Sequence, residues 1–223
     1  MDILALSETK LDDTIHDSLF QITNFHTPFT KHRSRQGGGV AIYTRSHTPT
    51  CRLPELDCPN EEWIWTKTKI HGEIFITCAL YLPPNLTNDR LETFINNLTD
   101  SITSAQRIPN ATIIVLGDFN TGNIYLTNGE SHSGITQFDR RLKDAIESLN
   151  LTQLICTPTR VTEASSNLRD LVLINNVQMT IESGILPSFS SIEHFPVFVS
   201  LNVEKCPIRS IRKRVSGTTA AQT

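Results

Sequence analysis

Apolar runs separated by turn-forming residues divide this chain into short strands and two amphipathic helices. Ile3 to Leu6 is a short apolar run ending at Ser7-Glu8-Thr9, which predicts a buried strand with polar residues at its C-terminal end. Gly37-Gly38-Gly39 before Val40-Ala41-Ile42-Tyr43 reads as a turn followed by a strand. Trp63 to Ile70 and Ile74 to Tyr81 flank His71-Gly72-Glu73 and predict a hairpin, stopped by Pro83-Pro84-Asn85. Leu91, Phe94, Ile95, Leu98 and Ile102 recur at helical spacing, and Thr87 or Asn88 can cap that helix. Ile113 to Leu116 is the most apolar strand and should be central. Phe138, Leu142, Ala145, Ile146 and Leu149 mark a second helix, and Leu171–Ile174, Ile181–Leu186 and Phe195–Val203 supply further strands. Many strands with two long helices predict one α/β domain of packed sheets flanked by helices, over residues 1–203. The remaining residues, 204–223, are basic and then small and polar, the composition of a disordered tail.

Composition narrows the class. The 223 residues suit one large domain, and 38% hydrophobic content is compatible with a globular core. A formal charge of -3 means that binding to nucleic acid would need a local basic surface. Two stretches qualify: Lys31, His32, Arg33 and Arg35, and the tail residues Lys205, Arg209, Arg212, Lys213 and Arg214. Five cysteines without C-x-x-C spacing argue against a disulfide framework or a zinc knuckle and for reduced intracellular thiols. No stretch has the length of a transmembrane helix, and the N-terminus does not read as a signal peptide.

Strand ends carry the candidate chemistry. Glu8 follows the first strand, Tyr81 ends the hairpin, and Gly117-Asp118-Phe119-Asn120 follows the most apolar strand. Asp170 precedes one strand and Glu193-His194 another. Each has an ordinary structural explanation when taken alone: a solvated glutamate, an Asx turn, a turn aspartate, a satisfied histidine. Together the types are complementary. Carboxylates, a carboxamide, a phenol and an imidazole suit a hard cation and a phosphate.

The ordered stretches LSETKL (6–11), GGGVAIY (37–43), YLPPN (81–85), GDFN (117–120), TPTR (157–160), NLRDLVLIN (167–175) and EHFPV (193–197) carry a resemblance. From Met1 to about Val203 the chain resembles the endonuclease domain of non-LTR (LINE-type) retrotransposons. These domains belong to the endonuclease/exonuclease/phosphatase superfamily, with the apurinic/apyrimidinic endonucleases. The resemblance implies a four-layer α/β/β/α sandwich of two packed mixed sheets. It implies Mg²⁺, with Mn²⁺ as an alternative ion, with Glu8 and Glu193 as its metal residues. It implies that Tyr81 contacts the scissile phosphate, Asp118 orients or deprotonates the attacking water, and Asn120 steadies Asp118. Asp170 would fix the tautomer of His194, which handles a proton or donates to a phosphate oxygen. Lys31, Arg33 and Arg35 are the candidate contacts to the DNA backbone.

The implied reaction hydrolyses a DNA phosphodiester and leaves a 3′-hydroxyl. The implied partners are DNA and a reverse transcriptase domain in a parent polyprotein, the implied location nuclear. The sequence departs from the family pattern twice. The family strand that comes before the one opening this chain, with its asparagine near the metal, is not found. Glu193 stands where the family has Asp, one methylene longer. Two alternatives stay open: a repair endonuclease or phosphoester phosphatase of the same superfamily, or a catalytically inactive remnant.

Overall fold

The computed structural model describes residues 1–121, 135–188 and 193–203. The expected tail, including its basic residues, lies outside them. The strands in chain order are β1 (Ile3–Ser7), β2 (Phe29–Lys31), β3 (Val40–Thr44), β4 (Thr50–Arg52), β5 (Glu62–Ile70) and β6 (Glu73–Tyr81). Helix α1 (Asn88–Gln106), strand β7 (Ala111–Asp118) and helix α2 (Gln137–Ser148) follow. Then come β8 (Thr152–Gln153), β9 (Arg160–Val161), β10 (Ser166–Asn167), β11 (Asp170–Ile174), β12 (Thr180–Ile185) and β13 (Val197–Leu201).

Six strands form the main sheet in the order β4-β5-β6-β7-β11-β8. Only β6 and β7 run parallel, joined through α1, so the sheet is mixed. Parallel neighbours need a crossover of this length, whereas β5 and β6 close through a two-residue turn. His71 (φ 50°) and Gly72 (φ 100°) both lie in the positive-φ region, which matches the twist of the flanking strands. Trp63, Trp65 and Leu80 pack with Phe94, Leu98 and Ile102 of α1 and Leu142 and Ile146 of α2 in the major core. Trp63 meets Phe94 edge-on at 5.7 Å between ring centroids. Thr87, rather than Asn88, caps α1 by accepting from Arg90 N at 3.4 Å. Thr136 and Asp139 close a capping box on α2. Glu61, 2% exposed at its side chain, takes both Arg90 guanidinium nitrogens at 2.7 Å and Asn97 Nδ2 at 2.7 Å. With Glu61 buried and Arg90 partly exposed, this contact fastens α1 to the residue just before β5.

The second sheet packs on the opposite face. Its order is β1-β3-β2, and Val40 and Ile42 meet Ile64, Ala79 and Tyr81 of the main sheet, with Ile3, Ala5 and Phe29 against them. The β12–β13 pair forms a separate two-stranded sheet, with Val197, Val199 and Leu201 against the major core. The expected four-layer sandwich of packed sheets is borne out. Its outer layer over the second sheet is slight among the described residues. There Phe25 and Ile22 cover Ala41 and Tyr43, Tyr43 Oη donates to Phe20 O at 2.7 Å, and a single 3-10 turn spans Asp17–Leu19. Among the described residues β1 pairs only with β3, and β13 only with β12. Leu6 of β1 is 39% exposed. Among the described residues, Cys51, Cys58, Cys78 and Cys156 are free. No helix among the described residues is long and apolar enough to cross a membrane.

Candidate active site

Three of the candidate residues lie on one rung of the main sheet. Tyr81 of β6 registers with Asp118 of β7, and Asp118 registers with Asp170 of β11. Neighbours on one rung project to the same face of a sheet, so phenol and carboxylates converge by register alone. Tyr81 packs in the core between the two sheets, which identifies that face as the one turned toward β1 and β3. Gly117 permits the alignment. Its φ is 144°, and a Cβ there would fall 1.9 Å from Leu80 O on the parallel neighbour.

His194 arrives from the segment just before β13, in the two-stranded β12–β13 sheet. Its Nδ1 lies 2.9 Å from Asp170 Oδ2. Thr159 is the hub of this meeting. Its buried hydroxyl accepts from Arg169 N at 3.0 Å and Asp170 N at 2.9 Å, while its carbonyl accepts from Phe195 N at 2.7 Å. The adjacent Arg160 bridges to His194 through the backbone. Thus TPTR, NLRD and EHF are sewn together by backbone groups of one loop.

Asp118 is 4% exposed. Its Oδ1 accepts from Asn120 N at 2.8 Å and its Oδ2 from Asn120 Nδ2 at 3.2 Å. Burial, then the charge of Asp170, pushes its carboxyl up to about 7, against the pull of the Asn120 N–H, His194 and Arg169. The hydrogen bond to Asp170 raises His194 above its ordinary value, with burial opposing. Burial, then the negative charges of Glu8, Asp118 and Glu62, lifts the Tyr81 phenol to about 12, so it stays a protonated donor at neutral pH. One oxygen or nitrogen each from Asp118, Asp170 and His194 lies within 4.8 Å of the others. Carboxylate oxygens of this kind fit a hard divalent cation.

The remaining candidates stand differently. Glu8 sits in the left-handed region (φ 53°), its side chain 43% exposed and 3.6 Å from Lys10 Nζ. Its negative charge is among those that raise Tyr81. Glu193 pairs with Arg160 and is 52% exposed, so its carboxylate is drawn to that guanidinium and is not part of the Asp118–Asp170–His194 group. The three candidate DNA-contacting cations all have protein partners. Lys31 Nζ donates to Cys58 O at 2.7 Å, Arg33 Nη1 to Glu62 at 2.8 Å, and Arg35 Nε to Asp12 at 2.8 Å. Arg33 and Arg35 remain half exposed at 48% and 60%.

Sequence reasoning missed Thr159, Glu62 and Arg169. Thr159 lies inside the quoted TPTR stretch, but nothing in its type marks it as a hub. Glu62 Oε2 accepts from Gly39 N at 2.7 Å and so fastens the glycine turn against which Thr9 and Lys10 hydrogen-bond. A Cβ at Gly38 would fall 2.3 Å from that same oxygen, which explains a glycine there.

Residues 1–182 match the model of the Endonuclease/Exonuclease/phosphatase family. The chain belongs to this family. Solved structures with the same fold include the endonuclease domain of TRAS1, a telomere-specific non-LTR retrotransposon. It has a TM-score of 0.65 and 13% identity, and the match covers 81% of this chain and 79% of that one. An AP endonuclease from Archaeoglobus fulgidus gives 0.67 at 16% identity, covering 91% and 89%. A 3'-5' exonuclease from Neisseria meningitidis gives 0.67 at 17% identity, covering 91% and 90%. No curated protein sequence matches the chain.

Proposed function

We propose that the chain is a divalent-metal-dependent phosphodiesterase that nicks DNA, in the manner of a non-LTR (LINE-type) retrotransposon endonuclease. The observation that carries this reading is the Tyr81–Asp118–Asp170 rung with His194 held at its end. Asp118, with its carboxyl near 7, is poised to take a proton from an attacking water at neutral pH. The water oxygen bonds to phosphorus, the P–O3′ bond breaks, and the strand is left with a 3′-hydroxyl and a 5′-phosphate. Asp170 holds His194 by Nδ1, leaving Nε2 to donate to a phosphate oxygen. Asn120 turns its amide toward Asp118, and Tyr81 supplies an un-ionised hydroxyl for the phosphate. Glu8, with Glu193 as the second candidate, would supply oxygen donors for Mg²⁺ or Mn²⁺, an ion that when bound would neutralise charge on the phosphate. The half-exposed Arg33 and Arg35 are proposed to reach the DNA backbone, with Lys31 behind them. In this reading the parent polyprotein carries a reverse transcriptase, and the work is done in the nucleus.

A second reading, a repair endonuclease or 3′-phosphatase, is supported by the AP endonuclease and the Neisseria meningitidis exonuclease, whose TM-scores of 0.67 match or pass that of TRAS1. The test offers one protein supercoiled plasmid, an abasic duplex, a 3′-phosphate duplex and inositol phosphates, with Mg²⁺. Plasmid nicking abolished by Asp118→Ala and by His194→Ala is the expected result. Preference for the abasic or 3′-phosphate duplex supports the second reading, and no turnover on any of the four makes this copy an inactive remnant.

A further inference from the structure

Asn120 is a demanding residue to hold. It lies in the left-handed region at φ 46°, at the turn that leaves β7, and its side chain has to present a particular edge to Asp118. Its Nδ2 donates to Leu82 O at 2.8 Å and to Asp118 Oδ2 at 3.2 Å. Its Oδ1 accepts from Arg169 Nη1 at 2.6 Å. Arg169 is fixed to the same turn by its backbone, since Phe119 N donates to Arg169 O at 2.9 Å. Its own N–H is tied to Thr159 Oγ1 at 3.0 Å. One residue thus grips the turn after Asp118 twice, once through its carbonyl and once through its guanidinium.

We propose that Arg169 is a positioning residue that holds the Asn120 carboxamide with its amino group turned to Asp118. A carboxamide has two distinguishable ends. With a cation fixed on the oxygen end, the flipped orientation would set the amino group against the guanidinium and the oxygen against the Asp118 carboxylate. Both contacts are then repulsive, so the observed orientation is enforced from both sides. The guanidinium also polarises the amide, which strengthens its N–H groups as donors. The ordinary alternative is a solvated arginine at the start of a strand. Against it, Arg169 Nε is buried with no partner among the described residues, so the side chain is not simply extended into water. The catalytic value of this hold rests on the phosphodiesterase reading above.

The test uses the full chain labelled with ¹⁵N, as wild type, Arg169→Met and Arg169→Lys. The side-chain amide signals of Asn120 are assigned by their loss in Asn120→Asp. Wild type should show a hydrogen-bonded amino group with slow exchange. Arg169→Met should speed that exchange at least tenfold while backbone amides of β7 and β11 keep their protection, and Arg169→Lys should fall between. Unchanged Asn120 exchange in Arg169→Met overturns the proposal. If Arg169→Met fails to fold, Arg169→Lys decides: exchange identical to wild type there refutes a hold that depends on the planar guanidinium. Plasmid nicking is read on the same proteins, with turnover expected to fall at least tenfold and KM to stay constant in Arg169→Met. Wild type that does not nick refutes the nuclease reading alone, because the amide signals still decide the hold.

Discussion

Asp170 and His194 meet at 2.9 Å although one opens a strand of the main sheet and the other precedes β13 of the separate two-stranded sheet. The contact locks two sheets together, and Thr159 sets it by binding the backbone on both sides. Asp170 also stands directly opposite Asp118 on the neighbouring strand, so its charge acts on the proposed acid and the proposed base together.

That double action gives the first prediction. In Asp170→Asn the hydrogen bond that raises His194 weakens, and the charge that raises Asp118 disappears. Both groups return toward their ordinary values, so both limbs of the pH–rate profile for nicking should move to lower pH. Turnover should fall about 10²–10⁴-fold, the scale of general acid–base contributions. A profile that keeps its position while losing height would show that Asp170 only packs.

The reach of the sequence can be judged on the same residues. Apolar periodicity placed β5, β6, β7 and both helices because burial of one face is a local pattern. Residue types at strand ends named Tyr81, Asp118, Asn120, Asp170 and His194. The register that sets Tyr81, Asp118 and Asp170 on one rung was not legible, since pairing is a property of strands far apart in the chain. The two-residue strands β8, β9 and β10 were missed for the same reason: non-local backbone hydrogen bonds hold them, and no periodicity can show in two residues. Glu193 read as a family ligand from its position, while the cation that competes for it, Arg160, lies far back in the chain.

Stability should depend on pH through the same two groups. Folding raises Asp118 from 3.8 to about 7 and raises His194 above 6.5, so the folded state binds protons more tightly than the unfolded one. The Asp118 contribution is complete below its unfolded value and is lost as pH rises through about 7. The His194 contribution is complete below 6.5 and is lost as pH passes its higher folded value. With chelator present, wild type should therefore lose about 1 kcal/mol between pH 6 and 8, a fall of roughly 2–4 °C in Tm. Asp118→Asn should flatten much of that slope. Saturating Mg²⁺ at pH 8 should raise Tm by mass action and leave Asp118→Asn less affected. Calorimetry at three pH values checks this, and a wild-type Tm that rises from pH 6 to 8 under chelator contradicts it.

The last prediction concerns a residue with no side chain. Gly117 sits next to Asp118 at φ 144°, with Leu80 O 1.9 Å from where its Cβ would be. Gly72 also has a positive φ, 100°, yet nothing lies within 4 Å of its Cβ position. Ala at Gly72 meets backbone strain alone and should cost about 1 kcal/mol. Ala at Gly117 adds a collision with the neighbouring strand, so β6 and β7 must part where Tyr81 and Asp118 register. Gly117→Ala should therefore cost about 3 kcal/mol or more in urea unfolding. Its remaining folded fraction should nick plasmid at least tenfold more slowly per folded molecule. Gly72→Ala should nick like wild type. Equal losses of stability in the two variants would mean that strain, and not the close approach of β6 to β7, is what the glycine relieves.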